Sequence, residues 1–246
     1  MKKSRKIFFL LSLLFFVFIF AFSCFKLVTY YSRRAEETRY VRNLVEQFEV
    51  VLPPDKQDIC PIKIDFENLS KKNPDIVAWI YSDTLEINYP VVQGKDNSEY
   101  LHRGFDRNYL YSGTLFIDSF NARDFSDLNT VIYGHNMQNG TMFHKIGKYR
   151  KQAFYDENKT IWLLTPDQNY KLLPFSSKIV EPKDESYLMF EDKDYFYDYV
   201  YESYADSLFK SDVDVTSIER IVTLSTCTYE FKNARFVLLC KLQECY

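Results

Sequence analysis

The chain has 246 residues, 46% of them hydrophobic and 26% charged, with a formal net charge of -3. This is the composition of one globular domain with appendages, which excludes a disordered or fibrous chain. No basic stripe interleaved with aromatics appears beyond the N-terminus, so nucleic-acid binding has no surface to rest on.

The opening MKKSRK is followed by an uncharged run from Ile7 to Phe25. At ~1.5 Å per helical residue those nineteen positions reach about 28 Å, close to the ~30 Å hydrocarbon core of a bilayer. Lys2, Lys3, Arg5 and Lys6 precede the run, and the positive-inside bias then keeps the N-terminus cytoplasmic and the rest of the chain extracytoplasmic. Three readings compete. A cleaved signal peptide has only a partial small-residue site in AFS before Cys24, and a lipidated Cys24 meets Ala21 where a larger aliphatic is expected. An uncleaved signal anchor is favoured by Lys26, Arg33 and Arg34, which mark the exit from the bilayer. The chain is thus expected to hold a basic tail at 1–6, an anchor at 7–25, a helix and stalk at 26–64 and a folded domain at 65–246. Within the stalk region, Tyr40, Val41, Leu44, Val45 and Phe48 fall at helical spacing and predict an amphipathic helix that docks on the domain and stops at Pro53-Pro54.

From Phe66 onward the pattern is of short strands broken by turns. NPDIVAWI suggests a helical turn entering the core through Val77, Trp79 and Ile80. LEINYPVVQ alternates like a strand, with Pro90 placing it near an edge. GTLFID, NTVIYGH, KTIWLLT, YKLLPFSSKIVEP, IERIVTLSTC and ARFVLLCKL complete about eight elements, and with 18% aromatic residues they point to a β-barrel or sandwich. Pro174 inside a predicted strand signals an irregularity there. One helix interrupts the late strands: in EDKDYFYDYVYESYADSLF, Asp194, Asp198, Glu202 and Asp206 form an acidic stripe, read as a solvated face and not as a metal site. The five cysteines are scattered, with neither a disulfide framework nor a zinc-ligand spacing.

Chemistry has few candidates. Of His102, His135 and His144, only His135 follows an apolar strand and a glycine, where side chains project from a sheet rim. A surface-loop histidine is the alternative. Cys227 ends the run IVTLSTC, and a cysteine there is by default core filler. Against that, Thr223, Ser225, Thr226 and Thr228 make its surroundings polar. If the strands on either side of the loop 228–234 form a hairpin, Cys227 and Arg235 face each other, and a nearby cation or histidine favours the thiolate. Parity then puts Val237, Leu239 and Lys241 on the face of Arg235 and turns Cys240 away into the core.

TLSTC with Arg235 eight residues on, YGHNM at 133–137, and the succession NPDIVAWI, INYPVVQGKDN, YL and GTLFID together resemble the sortases, class B, from about Asp65 to Leu242. The absence of any Asp-Pro pair and of a second apolar span before Tyr246 sets the chain apart from pilus-building sortases. The resemblance implies a mostly β fold: a sortase-type eight-stranded β-barrel with N-terminal helices and a helix inserted between two late strands. It implies a membrane-anchored cysteine transpeptidase without cofactor or metal. Its partners would be secreted proteins bearing a C-terminal sorting motif, such as an Asn-Pro-x-Thr-Asn-like signal, and the amine of a peptidoglycan precursor. Carried over residue by residue, Cys227 would be the nucleophile, Arg235 the oxyanion partner and His135 the acid and base. Asn97, Leu101, Tyr187, Leu188, Ser225 and Thr228 would contact the substrate. A catalytically silent surface binding module, and a protease whose acceptor is water, are the alternative functions.

Overall fold

The first helix, α1, runs unbroken over Lys2–Phe48 in the computed structural model, which describes residues 2–51 and 60–245. The sequence reading separated an anchor from a second helix, but no proline or glycine occurs in that span to divide them. The chain forms two units, Met1–Asn43 and Leu44–Tyr246. In the first, apolar side chains from Ile7 to Tyr31 are exposed, Phe8 by 75% and Phe20 by 71%. The helix is long and apolar enough to cross a membrane, with a mean hydropathy of 2.8 over its most apolar stretch. Pro53 and Pro54, predicted to stop the helix, lie outside the described residues.

In the second unit the last turn of α1 buries Leu44 and Phe48. Strand β1 (Glu49–Val51) pairs antiparallel with β2 (Ile62–Ile64). Helix α2 (Phe66–Lys72) follows, its first turn capped by the Asp65 carboxylate, which accepts from the Asn68 amide at 3.1 Å. The remaining strands are β3 (Ile76–Ser82), β4 (Ile87–Val92), β5 (Leu115–Ile117), β6 (Asn129–Tyr133), β7 (Ile161–Leu164), β8 (Asn169–Val180), β9 (Ile221–Cys227) and β10 (Arg235–Cys245). They close into a mixed eight-stranded barrel in the order β10-β8-β7-β3-β4-β5-β6-β9, with β4–β5 and β6–β9 parallel. The short helix α3 (Gln152–Glu157) lies between β6 and β7, and α4 (Lys193–Ala205) between β8 and β9.

Three local outcomes refine the sequence reading. NPDIVAWI does not form a helical turn: β3 is a strand buried on both faces, so it reads as a continuous apolar run without the alternation that marks a half-buried strand. Pro90 pairs opposite Trp79, and β5 joins β4 only from Val91 onward, so the proline sits at a local edge. At Pro174 the register of β8 against β10 slips: Leu239 faces Ser176 and Cys240 faces Pro174, leaving the fully buried Phe175 as a bulge. Strand order itself is regular there.

Helix α4 starts at Asp192, whose side chain accepts from the Tyr195 amide at 2.7 Å. Phe196, Tyr199, Val200 and Ser203, spaced as one helical face, are buried, while Asp194, Asp198, Glu202 and Asp206 are exposed. The buried face packs with Val237 and Leu239 of β10, the face on which Arg235 also sits. Helix α4 and its flanking segments thus cover the sheet beside that arginine.

Candidate active site

The β9–β10 hairpin sets the first half of the site. Cys227 and Arg235 are direct partners in its ladder, and the Thr228 amide donates to the Ala234 carbonyl at 3.0 Å to close the loop. Asn233, at a φ of 62°, supplies the left-handed turn that reverses the chain. Cys240 pairs with Val222 and is fully buried, which pushes its thiol well above the ordinary range. Arg150 clamps the loop: it donates to the Thr228 hydroxyl at 2.8 Å and pairs with the Glu230 carboxylate, with its guanidinium 4.9 Å over the Phe236 ring. The Thr228 hydroxyl, and secondarily Arg150, hold the Glu230 carboxyl down at about 2.

The β6 exit sets the second half. The Gly134 amide donates to the Ser225 carbonyl at 3.0 Å, extending the β6–β9 ladder past the strand end. A Cβ at Gly134 would come within 2.5 Å of a Leu115 methyl and 2.6 Å of the Phe143 ring, so only glycine fits without displacing them. His135 follows directly, with Nε2 at 2.8 Å from the Leu101 carbonyl. A carbonyl only accepts, so Nε2 carries the proton and Nδ1 is the basic nitrogen of the neutral ring. Burial holds the His135 pKa below its ordinary value; the Leu101 bond opposes this and the charge of His102 adds to it. Asn136 then donates to the Cys227 carbonyl at 2.7 Å and accepts from His144 Nδ1 at 2.7 Å, tying this segment to β9.

Both halves face one cavity of about 330 Å³. Arg235 lines it beside Tyr133 and Tyr187, and its Nη1 donates to the Asn233 and Ala234 carbonyls at 3.1 and 3.3 Å. The Tyr187 hydroxyl bonds Ser225 Oγ at 2.8 Å, and its ring stacks on Tyr133 at 6.0 Å and 12°. The Tyr133 hydroxyl in turn donates to Asp118 at 2.9 Å, which also accepts from Asn97 Nδ2 at 2.7 Å. Burial pushes the Tyr187 phenol up to about 12 and raises Tyr133 further, while the Arg235 charge pulls both down. Both phenols are neutral near pH 7, and Tyr133 is the donor to Asp118.

Cys227, His135, Arg235, Asn97, Leu101, Tyr187 and Ser225 all line this cavity. Leu188 and Thr228 lie outside the lining: the Leu188 carbonyl accepts from Asn129 and its side chain is exposed, and the Thr228 hydroxyl belongs to the Arg150 clamp. The sequence reading missed Thr114, Phe116, Tyr133 and Pro182 on the cavity wall, and noted Thr226 only as a polar neighbour of Cys227. Strand period held part of the signal, since Tyr133 lies two residues before His135 and pairs directly with Phe116 across β5–β6.

Residues 80–243 match the family model described as the sortase domain. Sortase B of Staphylococcus aureus is 34% identical over 222 residues, covering 89% of this chain and 89% of that protein. Among solved structures, the Staphylococcus aureus sortase B-substrate complex matches with a TM-score of 0.68 at 35% identity, covering 74% of this chain and 85% of that one. Clostridium perfringens sortase B matches with a TM-score of 0.66 at 38% identity, covering 72% of this chain and 99% of that one. A domain-wide family match, relatives above 30% identity across most of the chain and a shared barrel lead to one assignment: the chain belongs to the sortase family, in its class B branch, whose members are cysteine transpeptidases.

Proposed function

We propose that residues 7–25 anchor the chain in the membrane with 1–6 in the cytoplasm, and that residues 26–64 carry the domain 65–246 outside it. There it cleaves the C-terminal sorting signal of secreted proteins and joins them to the amine of a peptidoglycan precursor. The observation that carries this reading is the pairing of Cys227 with Arg235 in one hairpin, with His135 on the wall of the same cavity.

In this reaction the Cys227 thiolate attacks the carbonyl carbon before the scissile bond, and the carbonyl π pair moves onto oxygen. Arg235 stabilises that oxyanion; its planar fork also suits a backbone carbonyl of the substrate. Since Leu101 holds the Nε2 proton of His135, Nδ1 takes the Cys227 thiol proton as the thiolate forms, and the resulting imidazolium passes that proton to the leaving amine. The C–N bond breaks and a thioacyl-enzyme remains. The acceptor amine attacks this thioester, Nδ1 takes its proton, and the thiolate leaves. Ser225 and Tyr187, bonded to each other, line the substrate side with Asn97 and Leu101. Leu188 and Thr228 act from the rim, through segment 186–188 and the hairpin loop.

The test uses the detergent-solubilised full chain, quenched peptides carrying Asn-Pro-x-Thr-Asn-like signals, and an amine acceptor or hydroxylamine. Cleavage with transfer to the amine is the expected result. Cleavage with water as the sole acceptor, even with a native precursor supplied, would make the protein a protease. No cleavage of any sorting peptide would leave it a binding module.

A further inference from the structure

The residue after the Leu101 carbonyl is His102, and its ring lies over His135 with centroids 5.4 Å apart and planes 16° from parallel. His102 Nδ1 lies 2.8 Å from the Tyr111 carbonyl, so Nδ1 carries the proton and the ring cannot spin freely. The Tyr111 ring also stacks on His102, at 5.8 Å and 23°. The loop bearing these groups is built to hold still. Leu110 donates its amide to the His102 carbonyl at 3.1 Å, and Thr114 bonds both the Tyr100 and Arg103 carbonyls. Gly113 turns at a φ of 60°, where a Cβ would sit 2.3 Å from the Tyr100 carbonyl. The Tyr100 hydroxyl is fixed in turn by Asp75 at 2.6 Å and the buried Asn73 at 2.9 Å.

We propose that His102 is a positioning residue for His135: its stacked, carbonyl-anchored ring fixes the plane in which the His135 imidazole exchanges its proton. Leu101 and His102, adjacent in the chain, thus grip one imidazole from its edge and its face. The inference rests on His135 being the acid and base of the reaction. It has an electrostatic consequence, because the charge of His102 adds to burial in disfavouring a second proton on His135. The other titratable groups around the pair are Tyr109 and Tyr111 against His102, and Cys227, Arg235, Tyr133 and Tyr187 on the cavity wall with His135. Arg103, next in the loop, is engaged by Glu99 at 2.5 Å.

The test compares His102→Ala and His102→Phe in the full chain. Transfer kinetics are measured against pH, and His135 is titrated by NMR after ¹⁵N-histidine labelling. His102 is exposed, so both variants should melt near the parent temperature. Removing the ring in His102→Ala should lower kcat about tenfold with KM near the parent value, the signature of a misplaced catalytic group. Phenylalanine keeps the stack and should recover most of kcat. In both variants the His135 midpoint should rise, because a like charge has been removed. An unchanged kcat in His102→Ala together with an unmoved His135 midpoint would overturn the proposal. His135→Ala, run alongside, separates the two ideas: full activity there would sink the acid–base reading, whereas an inactive His135→Ala beside an indifferent His102→Ala would sink the positioning role alone.

Discussion

The two walls of the cavity are built by different means. Cys227 and Arg235 face each other because a ladder of backbone hydrogen bonds pairs them, a few residues apart in the chain. His135 is held by the carbonyl of Leu101, 34 residues away in sequence, and by a loop whose shape depends on Asn73, Asp75 and Gly113. The first wall follows from strand pairing and tolerates many side chains along its length. The second follows from side-chain packing and long-range loop contacts, so changes far from the chemistry reach it.

This contrast ranks the expected effects. The largest belongs to Cys227→Ala, which should reduce turnover at least ~10⁴-fold while the fold stays intact, because the ladder does not need the thiol; circular dichroism alongside the kinetics checks both halves. Arg235→Lys comes next, with kcat down about 10²–10³-fold, since an ammonium lacks the planar fork; parental rates would remove the arginine from the oxyanion role. Gly134→Ala tests the other wall: its Cβ would strike Leu115 and Phe143, with a stability loss of about 1–3 kcal/mol. Urea denaturation measures this, and kcat should fall with it because His135 is the next residue. The smallest effect is a pH dependence of stability. The folded-state pKa of His135 lies below the unfolded ~6.5, so the unfolded chain binds that proton first. Stability is therefore lost as pH falls through ~6.5 and levels off once pH is below the folded value. His135→Gln should shallow this acid-side slope in a melting-temperature series, and an identical slope would contradict the buried, neutral imidazole.

The same contrast explains what could be read without coordinates. The hairpin was legible because IVTLSTC and ARFVLLCKL are apolar runs separated by a short polar loop, and parity alone placed Arg235 opposite Cys227 and turned Cys240 away. Eight other features carried their own marks: the late helix by its spacing, Pro90 and Pro174 by their missing amides, and the five barrel strands β4 to β8 by bounded apolar runs. Strand β3 misled, since burial on both faces erases alternation. Tyr133, Phe116 and Pro182 stayed hidden because a cavity wall is assembled from separate strands and loops, and no local pattern records which side chains meet there. The stack of His102 on His135 was equally silent: in the sequence YLHRGFD shows no strand exit, and only the fold brings that histidine to the site.

The central claim is that Cys227 forms a thioacyl bond with a sorting peptide. It is tested most directly by intact-mass spectrometry of the full chain after incubation with sorting peptides and rapid acid quench, followed by peptide mapping. The account predicts an added acyl mass that maps to Cys227, disappears with hydroxylamine, and is absent in Cys227→Ala. An adduct mapping to Cys60, Cys240 or Cys245, or turnover that persists in Cys227→Ala, would contradict it.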